Sequence, residues 1–121
     1  MLIWAVATPI RLEDHQRRAL ATPENQVFVS SVTVWEIAIK RAIGRMVFPI
    51  DQFDDVARRM GFDMLPIFPA HAVVAGGLPP HHSDPFDRML IAQAMVENLI
   101  LVTSDSAMGR YEARILGPGR T

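Results

Sequence analysis

Three carboxylates in this 121-residue chain, Glu36, Asp87 and Asp105, stand where hydrolytic chemistry could be assembled from them. Taken singly, each has an ordinary explanation. Thr33-x-x-Glu36 has the spacing of a capping box, in which the glutamate accepts from the cap residue's own N–H. Asp87 comes shortly after Asp84, inside a first helical turn where the macrodipole stabilises a carboxylate by about 0.3–1 kcal/mol. Asp105 follows an apolar run and suits the N-cap of the next turn. Taken jointly the balance changes, because each acid is read as following a β–α junction, and a parallel sheet carries such junctions to one edge. Converging carboxylates repel unless a cation joins them, so the arrangement predicts a divalent ion held by oxygen ligands and water. With no Cys and no His-x-x-x-His pair, Mg²⁺ or Mn²⁺ is favoured over zinc. Such a site promotes attack of water on a phosphodiester.

Other candidates carry less. His81-His82 lies in a Pro-bounded loop and reads as solvated rather than ligating. His15 and His71 fall on expected helices as surface or half-buried residues, and Trp35 is assigned to the core. Thr103 and Ser104 either orient a carboxylate by hydroxyl hydrogen bonds or simply end a strand.

The acids need elements to hold them. From His81 to Asp105 the chain reads as loop, helix, strand and loop: Asp84-Pro85 marks a helix start, Phe86 to Val96 has helical spacing, and Asn98 suits a left-handed cap. Leu99 to Thr103 is then a buried strand ending at Ser104-Asp105. Upstream, Leu12 to Leu20 gives a modest amphipathic helix, Val27 to Ser30 a strand, and Thr33 to Ile43 a helix closed by Gly44. Asp51 opens a helix that Gly61 ends, and Met64 to Ile67 is a strand that Pro66 assigns to a sheet edge. Pro69 to Gly77 is a short helix of small residues, Ala113 to Leu116 a last strand, and residues 117–121 a frayed tail. The alternation predicts one α/β domain over residues 1–121, with helices on both sides of a mostly parallel sheet.

Composition narrows the class. No apolar run approaches the ~20 residues of a membrane span, and Met1 to Val6 lacks the basic flank of a signal peptide. The absence of Cys suits the cytoplasm and removes thiolate catalysis. A net charge of −1 argues against wrapping nucleic acid by bulk electrostatics. Lys40 is the one lysine among 12 basic residues, a bias that either favours forked arginine contacts to phosphate or carboxylate or simply reflects a GC-rich coding sequence.

With these residues in hand, the chain resembles PIN-domain proteins, and among them the VapC-type toxins of bacterial type II toxin–antitoxin pairs. The carriers are Val29 to Lys40 (VSSVTVWEIAIK), Leu78-Pro79 with His81 to Arg88 (HHSDPFDR), Leu90 to Ala94 (LIAQA) and Leu101 to Asp105 (LVTSD). The resemblance implies a three-layer α/β/α fold and a Mg²⁺- or Mn²⁺-dependent endoribonuclease. It also implies a homodimer, held inactive by an antitoxin whose segment lies across the acidic crevice. By position, Glu36, Asp87 and Asp105 match the family's catalytic and metal-holding acids. Asp84 reads as a helix cap that also supports the site, and Ser30, Thr103 and Arg88 are supporting positions, Arg88 through RNA phosphate or an acid.

One departure stands out. Family members begin with a short apolar strand that ends in Asp, followed by a segment like Leu2 to Ala5 within the first helix. Met1 would then lie inside that helix, with the strand and the first acid missing: an N-terminal truncation relative to the family, from a late start site or a genuine loss. The leading reading is an RNA-cleaving toxin. Its rival is a catalytically impaired PIN domain that binds antitoxin or RNA. A flavodoxin-like receiver is a third reading, but it needs an acidic cluster after the first strand and a late lysine, and Lys40 is misplaced for that.

Overall fold

The computed structural model describes residues 2–4, 14–21, 24–44, 53–59, 61–80, 84–102 and 114–116. Strands and helices alternate along most of the chain: β1 (Leu2–Trp4), α1 (Asp14–Ala21), β2 (Val27–Ser30), α2 (Ser31–Ala42), α3 (Phe53–Arg59), β3 (Asp63–Leu65), α4 (Pro69–Gly77), α5 (Pro85–Glu97), β4 (Ile100–Val102) and β5 (Arg114–Leu116). The strands form one parallel sheet in the order β3-β2-β1-β4-β5. This is the α/β architecture expected from the alternation. β3 lies at an edge, where Pro66, immediately beyond it, costs no ladder hydrogen bond.

Successive strand residues point to opposite faces, and the core divides accordingly. Phe28 and Leu65 pack with Val32, Leu90, Ile91, Ala94, Leu99 and Leu101, a cluster supplied largely by α5. On the other face Val29 and Met64 pack with Ile37, Ala57 and Phe62. A sheet buried on both sides explains why its strands read as short continuous apolar runs.

The helix limits follow local chemistry. Pro85 occupies the first turn of α5, Asp84 caps it, and Asn98 closes it in the left-handed conformation at φ 56° and ψ 49°. Gly61, at φ +80°, turns the chain out of α3 with its N–H on the Arg58 carbonyl at 3.0 Å. No described helix is long and apolar enough to cross a membrane.

The N-terminus corrects the sequence reading. Leu2–Trp4, assigned above to the first helix, is the central strand that was expected to be missing. Ile3 is in register with Phe28 of β2 on one side and with Leu101 of β4 on the other. A few consecutive apolar residues show no period, so a buried strand and a helix segment look alike in sequence. Tertiary context separates them, because a gap between β2 and β4 would leave two rows of backbone groups unpaired. The missing acid is another matter, since β1 is followed by Ala5-Val6-Ala7-Thr8.

Two further residues differ from expectation. Trp35 is 57% exposed and not core, and His71, expected at the surface or half-buried, is fully buried.

Candidate active site

Ser30 ends β2 and caps α2. Its backbone is extended, at φ −75° and ψ 144°, and its Oγ accepts from the Val32 N–H at 3.0 Å. Thr33 is therefore inside the helix and not at its cap, which removes the capping-box explanation of Glu36. One turn beyond Thr33, Glu36 is buried, 7% exposed, and its Oε2 meets Lys40 Nζ at 3.2 Å. A carboxylate this enclosed needs a positive partner, and Lys40 supplies one at the i,i+4 spacing.

The turn that bears Asp87 is placed beside α2 by helix packing. α5 follows α4 and not a strand, so Asp87 does not lie at a β–α junction. Instead the first turn of α5 packs against α2. The rings of Trp35 and Phe86, each next to one of the acids, meet edge to face with centroids 4.9 Å apart. Asp84 orients that turn, its Oδ1 accepting from the N–H groups of Phe86 at 2.8 Å and Asp87 at 3.3 Å.

Arg88 is engaged by the protein's own backbone. Its guanidinium donates to three carbonyls at the end of α4: Nη2 to Ala75 at 3.0 Å and Leu78 at 2.9 Å, and Nη1 to Pro79 at 3.0 Å. It thus binds the C-terminus of one helix to the first turn of the next.

Behind the acids lies a buried polar chain. Ser30 Oγ donates to Gln93 Oε1 at 2.5 Å, and Gln93 Nε2 donates to the Pro66 carbonyl at 3.1 Å and approaches His71 Nδ1 at 3.3 Å. His71 Nδ1 accepts from the Phe68 N–H at 3.0 Å, which leaves the ring proton on Nε2, 2.8 Å from Glu97 Oε2. Sequence reasoning missed both Gln93 and Lys40. The available signals were a lone amide within the apolar run Leu90 to Ala94 and a Glu–Lys pair at helical spacing.

Asp105 and Thr103, with Ser104 and the His81-His82 loop, lie outside the described residues. Among the described residues no three His, Asp or Glu side chains form a metal-holding group. Asp105 follows the end of β4 closely in sequence. Strand order reverses between β1 and β4, and in open parallel sheets ligands collect at the carboxyl ends of strands beside such a reversal.

The PIN domain pattern matches residues 1–113 of the chain. The chain belongs to the PIN-domain family. PIN domains are generally nucleases and generally depend on a divalent metal. In fold this PIN domain is similar to a chain in the structure of FitAB bound to an IR36 DNA fragment. The TM-score is 0.71 at 14% identity, over 100% of this chain and 97% of that one. No curated protein matches it.

The residues of this PIN domain suit a hard cation. Its candidate donors are carboxylate oxygens without a thiolate, and Thr33 Oγ1, one turn before Glu36, is buried with no hydrogen-bond partner among the described residues. An orphaned buried hydroxyl beside a buried carboxylate is what a water or ligand oxygen would satisfy.

Proposed function

We propose that this PIN domain is an endoribonuclease toxin, in which Glu36, Asp87 and Asp105 hold Mg²⁺ or Mn²⁺ and RNA is hydrolysed at a phosphodiester. The observation that carries the reading is the packing of Trp35 on Phe86, which joins the turn bearing the buried Glu36 to the turn bearing Asp87. When bound, the cation would lower the pKa of water and stabilise the departing oxygen. The protein's own part is positional. Ser30 and Asp84 fix the first turns of α2 and α5, Arg88 anchors α4 beside them, and Lys40 balances Glu36. Thr103 is assigned a supporting hydroxyl next to Asp105. A cognate antitoxin, a homodimer and a cytoplasmic setting belong to the same reading.

The test is cleavage of a mixed RNA pool by the 121-residue chain with Mg²⁺, Mn²⁺ or EDTA, beside Asp87→Asn and Asp105→Asn. Metal-dependent cleavage should be lost in both variants with the fold retained. A variant that cuts at the parental rate would refute the site.

One observation favours a second reading, a catalytically impaired domain that binds antitoxin or RNA. β1 leads into Ala5-Val6-Ala7, where the family resemblance implies an Asp. A folded chain that retains RNA or an antitoxin without cutting would establish it.

A further inference from the structure

We propose that Gln93 is a positioning residue for the acidic site, tying the helix that carries Glu36 to the helix that carries Asp87. The inference rests on the cation-site reading above.

Gln93 is fully buried in the middle of α5, where a primary amide is tolerated only if its donors and acceptor are engaged. They are engaged by two other parts of the chain. Oε1 takes the hydroxyl proton of Ser30, and Nε2 gives a hydrogen bond to the Pro66 carbonyl beyond β3 while lying near His71 of α4. Acceptor toward Ser30 and donor toward Pro66 also settle which way the amide faces, since the flipped amide would set its oxygen against a carbonyl.

The Ser30 contact matters for the site. A serine hydroxyl has one proton, and committing it to Gln93 turns a lone pair toward the Val32 N–H, the bond that starts α2. The turns that follow carry Thr33, whose hydroxyl has no partner among the described residues, and Glu36. Phe86 and Gln93 are two helical turns apart on α5, so they share a face. Through that face α5 holds α2 twice, by the ring contact at Trp35 and by the amide at Ser30. The ring contact leaves Trp35 more than half exposed, whereas both partners of the amide contact are fully buried. The amide is therefore the better-enclosed of the two tethers, and Glu36 depends on it without touching it.

The experiment compares the parental chain with Gln93→Met, Ser30→Ala, Ser30→Thr and Glu36→Gln by two measurements. One is amide hydrogen exchange over residues 32–36 in metal-free protein, and the other is Mn²⁺ binding by calorimetry. Gln93→Met removes the amide at similar volume. It should speed exchange in that turn by roughly tenfold, beyond any change in β4, and weaken Mn²⁺ by roughly tenfold, the scale seen for groups that orient ligands. Ser30→Ala should behave alike and Ser30→Thr, which keeps the hydroxyl, should restore both values. If Gln93→Met does not fold, the two Ser30 variants test the same bond. Unchanged exchange in a folded variant overturns the tether. Faster exchange with parental Mn²⁺ affinity, while Glu36→Gln loses Mn²⁺, overturns the positioning role. If the parental chain binds no Mn²⁺, the cation reading fails, and exchange alone then upholds or overturns the tether.

Discussion

Glu36 is the residue on which the site's chemistry turns, because it is buried and its simplest structural explanation does not hold. With Ser30 as the cap of α2, Glu36 has no capping duty, and Lys40 is the cation it meets, at 3.2 Å. That pair stands in for the positive charge a bound cation would bring. Lys40 is itself partly exposed but Glu36 is not, so removing the lysine leaves a buried carboxylate without its positive partner. Lys40→Met should therefore lower the thermal midpoint. Under the cation-site reading it should tighten Mn²⁺ binding about twofold, by freeing Glu36 from a competitor. Weaker Mn²⁺ binding in calorimetry would mean that Lys40 orders Glu36 and does not compete for it.

At the level of elements, the positions of α4 and α5 depend on a few polar anchors in addition to apolar packing. Arg88 ties the last turn of α4 to the first turn of α5, next to the Asp84 cap. Losing three charge-assisted bonds should cost at least about 1.5 kcal/mol, the low end for a single bond to a charged group, the total being reduced by partial exposure. Arg88→Ala should lower the urea midpoint accordingly and speed amide exchange over residues 75–80, which precede Asp84. Lost RNA binding with no change in either quantity would give Arg88 a phosphate-contacting role instead. The helices themselves were legible in sequence. Asp84-Pro85 and Asn98 bracket α5, and Pro69 to Gly77 delimits α4, because caps, Pro and left-handed residues act within one turn.

For the whole molecule, the order β3-β2-β1-β4-β5 makes the most N-terminal piece of described chain, a three-residue strand, the seam of the sheet. Deleting residues 1–4 should leave β2 and β4 each with an unpaired edge, and the protein should elute as soluble aggregates in size-exclusion chromatography. A monodisperse, folded deletion variant would show that the two halves of the sheet can close without β1. Its loss should be felt more widely than that of a core side chain, because both halves of the sheet pair through it.

The class of fold, most helix limits, the edge position marked by Pro66 and the resemblance that names the acids can be read from the residues alone. These signals are local: caps, turn residues and apolar runs act over a few residues and survive without knowledge of what they pack against. Tertiary structure decided the rest. Leu2–Trp4 is a strand because two neighbours lack a partner there, which no period within three residues can reveal. The turn that bears Asp87 lies beside α2 because Phe86 packs on Trp35, not because a strand delivers it. Gln93, Ser30 and His71 lie far apart in the chain, and only folding joins them into one buried polar chain. Hydrogen bonds between distant residues leave no spacing in a sequence, and here they set the turn on which Glu36 stands.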